Sequence, residues 1–586
     1  MGDSDQSGVN LTLNLGENIL DKILRVDLTT LTIAEEPFPE EWTFLGGRAL
    51  SAKILLQEVD AKCDPLGPDN KLIFAPGVLS GSVVPTSGRM SVGGKSPLTG
   101  GIKEANSGGQ AGQKLMRLGF RVLIVQGKAQ DATKRYLLNI NKDSVELREC
   151  PELKGLRTYA ASEQLAQQYS GRAAFIICGP AGELQLSGAS VAFTDQEQRH
   201  PSRHAARGGL GAVMGAKGLK AVVVDDEGKQ ARPAKDAAAF KELIGHFTKD
   251  YLAGPQQMQY GTAVFTLVAN ELNTLPTRNR RQMQFDGAET LDGKNILANY
   301  ASRGGSHHHC MTGCIVKCSC TVNDTDGKYV TSALEFETIA LCGANCAISD
   351  LDKVARIDRL CDELGLDTIE TGGAIGLAME CGALPFGDAD AVIALLDSVD
   401  HGNNLATTIG NGVMAVARHF NTQRIPAIRG QGIPAWEPRT LNATGITYAT
   451  TAMGGDHTAG LILQPNADPA RHSQEMQIVN ALCDSSGFCM FQGPSIDITR
   501  TFYNAAYGES LSFEDMANIG WQCLVDEWEF NRRAGFKLED YDLPEWLRSE
   551  AVPSNAAVFA VPVEEIRRVF QRMPISDELR KMTPLG

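Results

Sequence analysis

The chain has 586 residues, 43% of them hydrophobic and 21% charged, which is ample for a large buried core. Its 55 basic and 70 acidic residues leave a net charge of -15, so no broad surface is available to neutralise nucleic-acid phosphates. No run of about 18 apolar residues offers a membrane span, and the opening MGDSDQSGVNLTLN lacks the basic and apolar regions of a secretory leader.

The cytoplasm is therefore the expected compartment. Fourteen cysteines, unevenly spread, do not make a disulfide scaffold, and a tight cysteine cluster in a reducing compartment points to metal. A prior of roughly 100–200 residues per domain suggests three or four domains.

The first 225 or so residues alternate short apolar runs with glycine turns. Strands are expected at 71–75, 121–127, 173–179 and 219–225, with a hairpin in YLLNINKDSVELREC across 136–150. Between them lie PTSGRMSVGGKSPLTGG and EANSGGQAG, glycine-rich loops that can bring backbone amides close to a ligand. After Asp226 the apolar residues recur every three or four positions, the mark of amphipathic helices. IPAIRGQGIPAWEPR interrupts that pattern near 425–435. The expected division is 1–225, 226–428 and 429–586, with no solenoid repeat.

Two helical segments echo one another. In SDLDKVARIDRLCDELGLD, Ser349 can cap a helix and Asp352 completes an S-x-x-D box, while Leu351, Val354, Ile357, Leu360 and Leu364 form the buried stripe. Gly365 supplies the left-handed stop. In SQEMQIVNALCDSSGFC, Ser473 begins a comparable helix, with Met476, Val479 and Leu482 inward and Gly487 at its end. Both finish as Asp-x-x-Gly-apolar-(Asp/Cys): Asp362 to Asp367, then Asp484 to Cys489. A carboxylate in the last turn opposes the helix dipole at a cost of a few tenths to about 1 kcal/mol, and the chain accepts that twice. One copy alone reads as readily as a solvated helix end. Two copies suggest two similar heterocycles, each donating paired N–H groups to a carboxylate.

In SHHHCMTGCIVKCSC, Cys310, Cys314 and Cys318 recur every fourth residue, Cys320 follows, and Cys489 lies far downstream. Three clustered cysteines with a remote fourth suit an iron–sulfur cubane. Zinc sites favour paired C-x2-C or H-x3-H spacings, which this segment lacks, although a zinc site using His309 and buried free cysteines stand as alternatives. His307, His308 and His309 cannot all face one ion, because adjacent side chains diverge.

Taken together, LGGRAL, IFAPGVLSGSVVPTSGR, KSPLTGGIKEANSGG, RHAARGGLGAVMGAKGLKAV, the cysteine cluster, LCDELGLDTIETGG and CDSSGFCMF resemble the aldehyde:ferredoxin oxidoreductase family of tungsten (or molybdenum) enzymes, in order and over nearly the whole chain. The resemblance implies an α+β fold in which an N-terminal β-sheet cofactor-binding domain is followed by two mainly α-helical domains. It implies a tungsten or molybdenum bis-pyranopterin with no protein ligand to the metal, one [4Fe-4S] cluster, and Mg2+ bridging the pterin phosphates. The reaction implied is oxidation of an aldehyde to a carboxylic acid, with electrons passing to ferredoxin or an iron–sulfur partner subunit. An oligomer is expected, without nucleic-acid or membrane partners.

Carried over residue by residue, the resemblance implies that Asp362, Leu366 and Asp367 bind one pterin, and Asp484, Phe488 and Cys489 the other. It makes Cys310, Cys314, Cys318 and Cys489 the cluster ligands. Arg89 falls between cluster and pterin, and Asn106, Gly108, Arg203 and His204 match the phosphate and magnesium-bridge region, where guanidinium groups and amide nests suit phosphate. Glu337 in ALEFETIALCGAN and His457 in TAMGGDHTAG match an acid–base pair: His457 would hydrogen-bond the substrate carbonyl oxygen, and Glu337 would handle the proton of water or product acid. Taken singly, that glutamate reads as a solvated helix residue and that histidine as a loop cap.

Three departures stand out, the mildest being Phe488 in place of leucine in the second pterin turn. The C-x3-C spacing at Cys310 and Cys314 replaces the C-x2-C of aldehyde-oxidising relatives and leaves Cys320 an alternative to Cys318. It also looks like the branch with the tungsten-dependent benzoyl-CoA reductase catalytic subunits. That raises a second activity, low-potential reduction of an activated aromatic or acyl CoA thioester by a catalytic subunit of a complex. Arg356 stands where some relatives carry a carboxylate for an interfacial iron, so no such metal is expected. A non-catalytic electron carrier on the same scaffold is the third reading.

Overall fold

The computed structural model describes residues 10–15, 21–253, 260–332, 334–464 and 466–585. Among the described residues, thirteen strands lie before position 225: β1 (Asn10–Asn14), β2 (Lys22–Asp27), β3 (Thr32–Pro37), β4 (Leu72–Pro76), β5 (Met90–Lys95), β6 (Ile102–Ser107), β7 (Phe120–Gln126), β8 (Tyr136–Ile140), β9 (Ser144–Glu149), β10 (Ala174–Cys178), β11 (Val191–Phe193), β12 (Arg203–Ala205) and β13 (Leu219–Val224). The expected strands and the 136–150 hairpin are all present, displaced by a residue or two at their ends.

The strands form two sheets of matching design. One has the order β3-β2-β7-β4-β5-β6 and the other β9-β8-β13-β10-β11-β12, with β1 added beside β9. Among the described residues, the parallel pair in each sheet is the one before the central strand, β2 with β7 and β8 with β13. The remaining pairs are antiparallel. Helix α1 (Gly47–Glu58) precedes β4 as α3 (Thr158–Gln168) precedes β10, and α2 (Ala111–Arg117) precedes β7 as α4 (Leu210–Lys217) precedes β13. The N-terminal region is therefore an internal duplication in topology, which no sequence repeat marks.

Strand alternation divides the core. Leu123 and Val125 face the other sheet, in a layer with Leu138, Ile176 and Val222. Val122 and Ile124 face outward onto helices, in a layer with Leu50, Ile478, Leu482 and Leu524. Beyond β13 the chain is mainly helical, apart from a small sheet at residues 307–332 and a two-residue ladder at 427–432.

The two echoed helices are α5 (Leu351–Leu364) and α7 (Pro469–Ser486). Two cap assignments need correction. Asp350, not Ser349, caps α5 by accepting from the Lys353 N–H, and α7 starts at Pro469 behind the cap Asp468, leaving Ser473 buried inside it. A carboxylate one residue nearer the first turn, and a proline at the first helical position, prevail over serine. Both helices end on a left-handed glycine, Gly365 at φ 73° and Gly487 at φ 90°.

Candidate functional site

The glycines that end the sequence echo dock against the duplication. Gly179 follows β10, and a Cβ there would lie 2.3 Å from the Leu364 carbonyl oxygen. Gly77 follows β4, and its Cβ would lie 2.1 Å from the Gly487 backbone. The Ser190 N–H donates to the Gly365 carbonyl at 2.8 Å, and the Val78 and Leu79 N–H groups donate to the Ser485 and Ser486 carbonyls at 3.1 Å. Each half of the duplicated base thus carries one Asp-x-x-Gly turn on its central strand.

Between the turns lies a cavity of about 320 Å³. Its wall includes Arg89, Gly108, Arg203 and His204 from the base. From the helical part come Cys310, Cys318, Glu337, Asp362, Leu366, Asp367, His457 and Cys489. Twelve residues singled out from the sequence therefore converge on one space. Asn106 stands behind the wall, accepting from Arg89 Nε and, through its carbonyl, from Arg89 Nη2 at 3.2 Å.

Phe488 turns away. Its ring packs 5.9 Å from Phe247 and 6.0 Å from Phe502, so only its backbone is left to face a ligand. Asp484 also stands off the cavity wall, paired with Arg48 Nη1 at 3.5 Å. Arg48 also grips Glu527, at 2.7 and 2.9 Å. Burial and the neighbouring Glu104 raise the Asp484 carboxyl above the usual carboxylate range, against Arg48 and Arg89.

The thiols of Cys310, Cys314, Cys318 and Cys489 pack in one buried group with Met311 and Val316. Cys320 belongs elsewhere: it lies on a strand and packs with Tyr300, Val322 and Leu334. Among the described residues, no three His, Cys, Asp or Glu side chains converge as a single ion requires. Arg89 Nη1 lies 4.0 Å from Cys489 Sγ. A hydrogen bond with Cys314, helped by Arg203 and Arg89, lowers the Cys310 thiol below its ordinary value despite burial. His308 makes a buried contact to Asp195 at 3.2 Å.

At the first turn, Asp362 meets His204 Nε2 at 3.1 Å and Tyr159 Oη at 3.5 Å. Asp367 caps the next helix, α6 (Thr368–Glu380), through the Ile369 N–H at 2.9 Å, and meets Arg207 at 3.5 Å. Glu337 takes the Ala435 N–H on Oε2 at 2.7 Å. Its Oε1 has no hydrogen-bond partner and stands 3.7 Å from His457 Nε2, while His457 Nδ1 is also without one. The pair has one open acceptor on the carboxylate and one open ring nitrogen.

Several wall residues were not singled out from the sequence. Glu335 accepts from Thr262 Oγ1 and stands 3.7 Å from Arg203 Nη1. Asp358 takes the Thr331 hydroxyl at 2.7 Å and is driven toward its neutral form by burial and by Asp362. Asp358 lies four residues before Asp362, so helical spacing was a usable signal for it. Trp436 had none.

Buried thiols and the unsatisfied Glu337–His457 contact thus share one cavity between two matching turns of the duplicated base. The chain belongs to the aldehyde ferredoxin oxidoreductase family: residues 23–226 match the model of that family's N-terminal domain, and residues 240–573 that of its domains 2 and 3. It is 34% identical over 576 residues to the tungsten-containing aldehyde ferredoxin oxidoreductase of Pyrococcus abyssi, covering 91% of this chain and 92% of that protein. It is 27% identical over 542 residues to the WOR-like subunit of an aliphatic sulfonate oxidoreductase of Pyrococcus furiosus, covering 85% and 83%. In fold it is similar to the active site complex of benzoyl coenzyme A reductase solved with 1,5-dienoyl-CoA, at a TM-score of 0.78 and 21% identity, covering 94% and 93%.

Proposed function

We propose that the chain oxidises aldehydes to carboxylic acids, passing two electrons singly to ferredoxin or an iron–sulfur partner subunit. The observation that carries this reading is the open Glu337–His457 pair in the cavity that also holds the cysteine thiols. Family membership and the tungsten-containing relatives support it. Cys310, Cys314, Cys318 and Cys489 would ligate a [4Fe-4S] cluster. Asp362, Leu366 and Asp367 would hold one pyranopterin, and Asp484, Cys489 and the Phe488 backbone the other, with tungsten or molybdenum between them. The chain would act as three parts, 1–225, 226–428 and 429–586, in a cytoplasmic oligomer.

The residues fit those groups. Arg203 Nε and Nη2 are buried without partners, as is Ser107 Oγ, and guanidinium and hydroxyl donors of that kind suit cofactor phosphate. Asn106, Gly108 and His204 would complete that edge and its Mg2+ bridge. At Gly108 a Cβ would stand 3.1 Å from Cys310 Sγ, so only glycine leaves space against that thiol.

Bound there, the pterin-held metal supplies a two-electron acceptor and the cluster a one-electron relay. The rest belongs to the protein. His457 donates to the aldehyde oxygen and draws charge from the carbonyl carbon. Glu337 Oε1 takes the proton of the attacking water, while the Ala435 N–H on Oε2 keeps the carboxylate oriented. Aldehyde and water give the acid, two electrons and two protons. Phe265, Phe336 and Trp436 line the same space and limit water.

The test is metal analysis and turnover on anaerobically prepared protein. Tungsten or molybdenum with about four irons per chain, and viologen reduction by simple aldehydes, are expected. Reduction of a CoA thioester without aldehyde turnover would replace this reading by the second activity, and absence of both metals would end it.

A further inference from the structure

Arg278, Asn279 and Arg280 have φ of 48°, 49° and 63°, three consecutive non-glycine residues in the left-handed region. The left-handed region is unfavourable for residues that carry a Cβ, and such strain persists only where the surroundings over-determine it. What the distortion achieves is the placement of Arg280. Its side chain is 2% exposed, in a turn where Thr277 and Asn279 are buried as well. Nη1 donates to Glu437 Oε2 at 3.0 Å, and Nη2 donates to the Ile433 carbonyl at 2.8 Å and to the Pro434 carbonyl. Arg439 Nε donates to the other Glu437 oxygen at 2.7 Å and its Nη2 to the Arg280 carbonyl at 3.2 Å, while the Arg424 guanidinium reaches the same carbonyl at 3.2 Å.

The segment clamped is 433–437, and its middle residue, Ala435, sends its N–H to Glu337 Oε2. Trp436, the next residue, lines the cavity. The guanidinium therefore holds both carbonyls immediately before the amide that orients the proton-handling carboxylate. We infer that Arg280 is a positioning residue for Glu337: the strained turn at 278–280 exists to fix the 433–437 bend, and through it the direction of Glu337 Oε1. A planar fork is needed for two carbonyls and a carboxylate at once, and a lysine cannot supply it. This inference rests on Glu337 being the proton-handling group.

The experiment is a double-mutant cycle on the holoenzyme with Arg280→Lys and Glu337→Gln, iron and tungsten content being checked for every variant. Arg280→Lys is expected to lower kcat about ten-fold or more with KM for the aldehyde within about two-fold. In the Glu337→Gln background it should lower kcat no further. If Glu337→Gln is impaired and the two losses multiply, Arg280 acts on the fold alone and the inference falls while the catalytic reading stands. If Glu337→Gln leaves kcat unchanged, both fall. Should Arg280→Lys not fold, Glu437→Gln, which loosens the same bend from its other anchor, carries the identical cycle.

Discussion

Gly108 and Glu335 show what one residue decides in this cavity. A methyl group at 108 would press on Cys310 Sγ at 3.1 Å, with Arg89 Nη1 3.8 Å away. Neither can retreat far, since Arg89 is tied to Asn106 and Cys310 belongs to the buried thiol group. Gly108→Ala is therefore expected to fold but to carry clearly less iron and sulfide per chain, with the lower thermal midpoint that loss of a bound cluster brings. Full iron content would show that the thiol does not need this space. Twelve wall residues were legible, the thiols by their regular spacing and the first carboxylate turn by its echo, while Glu337, His457 and the arginines were reached only through the family resemblance. Glu335 was reached by neither route, although it stands two residues from Glu337. An E-x-E pair does not reveal that one carboxylate meets Thr262 and Arg203 from distant segments while the other meets Ala435. Such partners arise only from tertiary packing.

Among the elements, the short turn Gly454–Gly460 around His457 depends on one buried ion pair. Asp456 is joined to Lys103 Nζ at 2.6 Å, with side chains 5% and 0% exposed, and it also caps the turn through the Thr458 N–H at 3.1 Å. Lys103 comes from β6 of the base, so the pair fixes the His457 turn to the sheet. Burial alone would raise the Asp456 carboxyl, but Lys103, Arg207 and His457 hold it well below the ordinary value of 3.8. With the folded value depressed, the pair's contribution is present above about pH 4 and is lost only as pH falls below it. Asp456→Asn leaves the Lys103 ammonium uncompensated, a loss of about 3–5 kcal/mol. The variant should show a lower thermal midpoint of similar size at pH 6 and pH 8. A deficit confined to one of those pH values would point to another group. At this scale the left-handed stops were legible because glycine leaves few alternatives, whereas the caps were misassigned. Asp350 and Asp468 compete with Ser349 and Ser473 through the same chemistry, and position relative to the first buried residue decides between them.

The whole molecule is organised by a duplication that side chains conceal. β4 reads LIFAP and β10 reads AFIIC, both wholly buried, so any apolar residue suits either strand and no identity need survive. What survives is pairing order and close approach, and close approach is where the sequence cannot drift. Gly77 and Gly179 occupy equivalent places after the two central strands, and each admits the backbone of one Asp-x-x-Gly turn to a distance that excludes a Cβ. An added methyl at either must push that turn off its strand, because the opposing atoms are backbone rather than flexible side chain. Gly179→Ala would displace the turn carrying Asp362, and Gly77→Ala the turn carrying Asp484. If each half of the base holds one heterocycle, either substitution alone should cut the pterin and tungsten content of the purified protein several-fold, and the two should act on the same bound metal rather than on separate pools. A ligand that binds only the folded form stabilises it, so the metal-poor fraction should also melt lower and regain no stability on adding tungstate alone. Full pterin content in Gly77→Ala with loss confined to Gly179→Ala would mean that the halves, though matched in fold, do not share the load.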